Sequence, residues 1–210
     1  GLSIIGQSGS LAPADKLMYA LRDVTATVDS LPLIASSIMS KKLAGGADCI
    51  MLDVKVGSGA FMKTPAQARE LAQVMTDIGR RAGRKMSALI TDMDTPLGRC
   101  IGNAIEVVEA VETLKGNGPD DLVEICVALS SGIIEQALGL SPAKSEAAAR
   151  GALLDGRAYA LLRKMVTAHG GNAAQLDDTS LLPLSKLTSE VRAPKSGYIS
   201  HIDTEKCGLA

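Results

Sequence analysis

The sequence has 210 residues, 46% hydrophobic and 21% charged, with a formal net charge of −1. That balance suits a soluble globular chain with material for one sizeable core, or one core and a small appended piece. The absence of a basic field argues against nucleic acid and anionic membranes as partners, and one phenylalanine, three tyrosines and no tryptophan make a poor stacking platform for single strands.

No apolar stretch reaches transmembrane length and no signal peptide is visible. The cysteines, Cys49, Cys100, Cys126 and Cys207, form no CxxC pair, and only His169 and His201 could join them around a metal. This spacing argues against zinc, and three of the four lie in or beside apolar runs, as expected of reduced thiols in the cytoplasm. The Lys41-Lys42 pair and the run from Arg80 to Lys85 read as solvated faces.

In chain order, residues 2–5 read as a strand and residues 6–10 as a Gly/Ser turn. Pro13 suits the first turn of a helix reaching about Arg22. Residues 24–28 are rich in β-branched side chains and read as an extended connector. A second helix follows, capped by Asp29 or Ser30, with Pro32 in its first turn and Gly45-Gly46 closing it. Residues 49–56 form a compact apolar run around Asp53 and Lys55, a buried strand. Thr64-Pro65 opens a helix ending near Gly83, and residues 86–91 form the next strand. Further helices are expected at about 103–115, 119–138, 142–154 and 157–169, and residues 170–183 read as a polar linker. Residues 190–193 and 198–203 read as strands around the turn 194–197. The alternation of strand and helix predicts an α/β fold with a parallel or mixed sheet flanked by helices. The last segment predicts the start of a β-rich C-terminal domain.

On the second helix, Ile34, Ser37, Ile38 and Lys41 recur at spacing 0, 3, 4 and 7 and share a face. A hydroxyl and an ammonium thus interrupt an isoleucine stripe. Such a face can hold a flat, mostly apolar ring and hydrogen-bond its polar edge. Equally, Ser37 can face solvent and Lys41 snorkel off the helix end. Arg22, beside Asp23, has a surface salt bridge as its plainest reading. Gly57-Ser58-Gly59 follows a strand but lacks the lysine-hydroxyl ending of a phosphate loop and the full dinucleotide fingerprint, so a tight strand exit is the better reading. Asp92 and Asp94 read as turn residues rather than a metal pair.

Several long strings resemble the thymidine and pyrimidine-nucleoside phosphorylase family: residues 11–14 (LAPA), 22–30 (RDVTATVDS), 32–42 (PLIASSIMSKK), 53–62 (DVKVGSGAFM), 96–103 (PLGRCIGN) and 106–115 (EVVEAVETLK). The wording lies nearer the broad-specificity pyrimidine enzymes than strict thymidine phosphorylases. The resemblance implies phosphorolysis of uridine, thymidine and deoxyuridine to free base and (deoxy)ribose 1-phosphate, with phosphate as co-substrate. It implies that Arg22, Ser37 and Lys41 hold the base while Tyr19, Val28, Ile34 and Ile38 line its pocket. It also implies a potassium ion on the carbonyls of Leu97 and Cys100 and the carboxylate of Glu109, although the residues alone would make Glu109 an exposed helix position.

By the same resemblance, residues 14–44 belong to a small helical domain that dimerises. Residues 1–13 and 45–185 belong to an α/β domain on the phosphate side, and residues 186–210 start a third. A homodimer is expected. The family's lysine-histidine-serine run, which carries the phosphate site and a catalytic histidine, does not occur here, and the chain begins at Gly1. The expectation is therefore a fragment lacking the N-terminal part and inactive alone. A phosphoribosyltransferase on the same scaffold is the alternative, against which stands the lack of its acidic magnesium motifs; a non-catalytic truncated relative is another.

Overall fold

A computed structural model describes residues 2–4 and 12–210. Residues 2–4 adopt no regular structure, so the strand expected at 2–5 does not form over them. Residue 5 and the expected turn at 6–10 lie outside the described residues.

Helices α1 (Pro13–Val24) and α2 (Leu31–Ala44) come first, each with proline in its first turn. Strand β1 (Cys49–Val56), helix α3 (Pro65–Arg81) and strand β2 (Lys85–Asp92) follow. The two strands pair in parallel, Cys49 opposite Lys85 through Val56 opposite Asp92. Helices α4 (Asn103–Leu114), α5 (Asp120–Leu138), α6 (Pro142–Leu154) and α7 (Arg157–Ala168) complete the helical run.

The start of α3 is dictated locally. Thr64 accepts a hydrogen bond from the Gln67 backbone N–H at 3.3 Å, and the Gln67 side chain accepts from the Thr64 N–H at 3.1 Å. Two otherwise orphaned donors are satisfied reciprocally, and Pro65 sits where no intrahelical N–H is needed. Beyond the cap, Ala68, Leu71, Ala72, Met75, Thr76 and Gly79 fall on one buried face at spacings of three and four.

Strand alternation then sorts the two faces of the sheet. Ile50, Leu52 and Val54 of β1 and Met86 of β2 point to one side, where they pack with Leu71 and Met75 of α3 and with Ile34, Ala35 and Met39 of α2. The opposite face meets α5: the Met51 sulfur lies 3.0 Å from where a Cβ on Gly132 would stand. Gln136 donates to the Ser87 hydroxyl at 2.5 Å, and Lys85 donates to the Gln136 carbonyl at 2.8 Å. Helices cover both faces, as a parallel pair requires.

Gly79 is needed where α3 crosses β2. A Cβ there would stand 2.3 Å from the Met86 sulfur. Gly79→Ala is therefore expected to destabilise the chain by about 1–3 kcal/mol through overpacking, read as a lower midpoint in urea with an unchanged slope.

Three expectations are corrected. The connector at 24–28 is a turn: Val24 ends α1, the Thr25 N–H returns to the carbonyls of Leu21 and Arg22, and Ala26 has a left-handed φ of 53°. The polar linker at 170–183 contains a short helix α8 (Ala174–Asp177) and a 3-10 turn (Thr179–Leu181). Residues 190–193 and 198–203 form no strands. Val191 and Tyr198 are fully exposed and find no partner strand among the described residues, and β-branched composition without a ladder to join does not hold an extended chain. Helix α9 (Thr204–Leu209) ends the chain instead, its first backbone groups capped by Asp203, which accepts from the Lys206 N–H at 3.1 Å. The predicted β-rich domain is absent from the described residues.

Candidate functional site

Residues 34, 37, 38 and 41 divide between two environments. Successive i, i+4 rows on a helix are offset by about 60° when they start three residues apart, so Ile34–Ile38 and Ser37–Lys41 face different neighbours. Ile34 is buried in the core, and Ile38 packs beside it. Both also line a hollow of about 550 Å3, with Asp53, Lys55, Phe61 and Met62 among its other walls. Ser37 and Lys41 turn toward α1.

There the Lys41 ammonium donates to the Ser37 hydroxyl and to Asp15 Oδ2, both at 2.8 Å. Asp15 lies in the first turn of α1 and is 3% exposed. Burial pushes its carboxyl up, but hydrogen bonds from Lys41 and Ser37, and the positive charges of Lys41 and Arg22, outweigh that and hold its pKa below the ordinary aspartate value. The carboxylate thus pairs directly with Lys41, and Ser37 and Arg22, the other two polar residues expected to hold a base, act on its charge. The sequence reading passed over Asp15. Its position seven residues before Arg22, on the same face of an amphipathic helix, was the available signal.

Arg22 is not a surface residue paired with Asp23. It is 6% exposed and donates from Nε to the Thr27 carbonyl at 3.4 Å, from Nη1 to the Leu33 carbonyl at 3.3 Å, and from Nη2 to the Val28 carbonyl. The guanidinium gathers the α1–α2 turn around itself. Its face lies over the ring of Tyr19, 5.2 Å from the centroid, a cation–π contact. Val28, half-buried, contributes its carbonyl to this arrangement.

A second cluster surrounds residues 97–109. Gly98 donates its N–H to Asp121 at 3.0 Å, and Arg99 donates to Glu109 Oε1 at 2.8 Å. A Cβ on Gly98, whose φ is 72°, would come 2.3 Å from Glu109 Oε2. Glu109 is therefore half-buried against the loop, which corrects its reading as an exposed helix position. Burial and then the Glu109 carboxylate push the Cys100 thiol up, so it stays protonated. Leu97, Cys100, Glu106, Glu109, Thr204 and Cys207 line a hollow of about 430 Å3 here. Carboxylate and backbone oxygens beside a neutral thiol suit a hard cation better than a soft one.

Gly57 and Asp94 explain the strand exit. The Ser58 N–H donates to Asp94 Oδ1 at 2.7 Å, and a Cβ on Gly57 would stand 2.6 Å from the Asp94 nitrogen. Asp92 in turn accepts from the Asp94 N–H at 3.2 Å. These are turn residues, and no group of three or more His, Cys, Asp or Glu side chains able to hold a metal occurs among the described residues. All four cysteines are free thiols; Cys126 is exposed and the other three only half-buried. His169 pairs with the Ser3 hydroxyl at 3.1 Å, far along the chain from the α1–α2 cluster. No helix among the described residues is long and apolar enough to cross a membrane.

Helices on both faces of a parallel strand pair, with a fixed ammonium and hydroxyl on one flanking helix, define an α/β domain. Residues 1–159 match the family described as "Glycosyl transferase family, a/b domain", and the chain belongs to that family. Along its whole length it is 51% identical to the pyrimidine-nucleoside phosphorylase of Geobacillus stearothermophilus, covering 48% of that protein. The pyrimidine-nucleoside phosphorylases of Staphylococcus epidermidis strain ATCC 12228 and Staphylococcus aureus strain USA300 are 50% and 47% identical, again over the whole chain and 48% of their own lengths. The chain spans about half the length of these curated relatives.

Proposed function

We propose that this chain supplies the base-binding part of a pyrimidine-nucleoside phosphorylase acting on uridine, thymidine and deoxyuridine. One observation carries the reading: the Lys41 ammonium is held at 2.8 Å by both Ser37 and a buried carboxylate, so a cation and a hydroxyl stand at fixed positions on one helix. In the reaction a phosphate oxygen bonds to the anomeric carbon as the glycosidic C–N bond breaks. The bonding pair leaves with the base, whose ring nitrogen and carbonyl oxygens become anionic until the base is protonated. A positioned cation attracts that anion more strongly than the neutral base and so lowers the barrier. Lys41 supplies this charge, Ser37 orients the ring edge and Arg22 adds positive potential. Tyr19 and Val28 stand beside Arg22, and Ile34 and Ile38, on the neighbouring row of α2, line the adjoining hollow on the apolar side of the ring.

The same reading gives potassium a place on the carbonyls of Leu97 and Cys100 and the Glu109 carboxylate. The close approach of Glu109 to Gly98 supports this donor set. A bound cation there offsets the Glu109 charge and ties the loop to α4. Residues 14–44 act as part of a helical domain that pairs two copies. The apolar stripe of Leu17, Leu21 and Val24, at 75%, 60% and 79% exposure, supports such pairing. Residues 1–13 and 45–185 form the phosphate-side domain, and residues 186–210 lead into a third.

The test is to express the complete reading frame that contains this sequence and assay uridine, thymidine and deoxyuridine with phosphate, with and without potassium. Release of base and sugar 1-phosphate, enhanced by potassium, is expected, and the 210-residue chain alone is expected to release none. Failure with all three nucleosides, or turnover only with phosphoribosyl pyrophosphate, would overturn the proposal.

A further inference from the structure

We infer that Thr204 supplies a ligand oxygen to a potassium ion in the hollow between the 97–100 loop, α4 and α9. The inference rests on the reading of Leu97, Cys100 and Glu109 as donors to that ion.

The walls of this hollow, about 430 Å3 in volume, are short of positive charge. Glu106 and Glu109, three residues apart on α4, both line it, and among the described residues no lysine, arginine or histidine does. Each carboxylate accepts one backbone N–H at 2.8 Å, Glu109 from Arg99 and Glu106 from Gly102. Neither takes part in a salt bridge among the described residues.

Helix α9 closes the hollow with Thr204, Cys207 and Gly208, which recur at spacing 0, 3 and 4 and share a face. Thr204 is 8% exposed, and its Oγ1 is sealed from solvent with no hydrogen-bond partner among the described residues. Its methyl lies toward Gly59, where an added Cβ would stand 2.9 Å from Cγ2. The hydroxyl is the branch left to face the hollow.

A buried hydroxyl without a partner is costly and rare, so it points to an occupant that it serves. Water would satisfy Oγ1 but would leave two carboxylates unbalanced, whereas a hard cation uses the hydroxyl's lone pair and offsets their charge. The donors also fix the kind of ion. Beside the Glu109 carboxylate they are neutral oxygens, the carbonyls of Leu97 and Cys100 and the Thr204 hydroxyl. No group of three or more His, Cys, Asp or Glu side chains able to hold a metal gathers among the described residues. Calcium sites gain affinity from ligand charge, and magnesium demands strict octahedral geometry. One carboxylate among neutral oxygens suits a larger monovalent ion, and such an ion fastens α9 to the loop and to α4.

The experiment follows the melting temperature of the complete reading frame's product against potassium chloride, with choline chloride holding ionic strength constant. Ligand binding to the folded state raises that temperature, so no turnover is needed. Thr204→Val replaces the hydroxyl by a methyl of similar shape. It is expected to raise the half-saturating potassium concentration at least about tenfold, the scale on which losing a supporting group at a metal site lowers affinity. Without potassium this variant should melt no lower than wild type, because an unpaired hydroxyl has been removed. Thr204→Ser keeps the oxygen and is expected to keep the wild-type midpoint.

Wild-type potassium dependence in Thr204→Val, when Glu109→Gln has lost it, would overturn the role of Thr204 alone. Wild-type dependence in Glu109→Gln, or none in the unaltered protein, would overturn the reading of the cation site on which the inference rests. If Thr204→Val does not fold, Thr204→Ala decides: a raised midpoint supports the inference, and a wild-type midpoint overturns it.

Discussion

Replacing Lys41 by alanine in the product of the complete reading frame is expected to reduce kcat for uridine phosphorolysis by about 10²–10³-fold, the loss typical of removing one donor from a site that stabilises developing negative charge. The change in KM should be smaller, because the cation acts mainly on charge that develops as the base departs. A nucleoside whose base is a better leaving group, such as 5-fluorouridine, should lose less than uridine. That difference separates a charge-stabilising role from simple misfolding. Lys41→Ala also leaves the Asp15 carboxylate without its nearest cation. Breaking a fully buried pair costs about 3–5 kcal/mol, and the loss here should be smaller because the Lys41 side chain is 27% exposed and Ser37 and Arg22 remain. A uridine kcat within about twofold of wild type would contradict a site in which this donor matters by the magnitude above.

The second large effect is expected at Arg22, and it falls on stability first. Its guanidinium serves three backbone carbonyls of the α1–α2 turn, those of Thr27, Val28 and Leu33. In Arg22→Ala the Thr27 carbonyl keeps the Ser30 N–H at 3.2 Å and the Leu33 carbonyl keeps the Ser36 hydroxyl at 3.1 Å, while the Val28 carbonyl loses its guanidinium donor, at a cost of about 1–3 kcal/mol unless water enters. With the lost packing and cation–π contact to Tyr19 added, a total on the order of 2 kcal/mol is expected. Arg22→Lys should recover little, because one ammonium cannot reproduce the planar fork that reaches three carbonyls. Thermal denaturation of both variants checks this. Equal melting temperatures for wild type and Arg22→Ala would refute the stapling role. Three of the five guanidinium N–H groups are committed to the turn, so Arg22 has fewer donors to offer a base than its spacing suggests. On the proposed reading, Lys41 carries more of that task.

The two predictions have a shared origin. Asp15, Arg22, Ser37 and Lys41 sit on two helices joined by the short turn that Arg22 closes. A buried carboxylate and two cations settle each other there. Removing either cation disturbs the remaining pair, so the effects of Lys41→Ala and Arg22→Ala should not be additive.

Local signals in the chain located most helices and both strands. Residues 49–56 were legible as a strand because a continuous apolar run bounded by glycines suits burial on both faces. Helix α3 was legible from Thr64, Pro65 and Gly83, and the α6 range from Pro142, because caps, first-turn prolines and closing glycines act within a few residues. Spacing put Ile34, Ser37, Ile38 and Lys41 on one face of α2, which packing divides into an apolar and a polar row, and the resemblance pointed to Arg22. Asp15 escaped notice because a single acid in a first helical turn reads first as a complement to the helix dipole, and sharing a face with Arg22 is a weak signal beside that. Its importance appears only when α2 lies against α1.

By itself, then, the order of residues settled the pattern of caps, periodicities and breaks, and with it an α/β chain whose strands run parallel through a connecting helix. Only the tertiary structure decided what depends on a second element being present. Residues 190–193 and 198–203 stayed unpaired for want of a neighbouring strand among the described residues. Glu109 was drawn in against Gly98 by the loop before α4, and the polar and apolar rows of α2 were sent to different partners. The physical reason is range: capping and periodicity act within one or two turns, whereas ladder pairing, burial of a carboxylate and convergence of charges are properties of segments that meet only after folding.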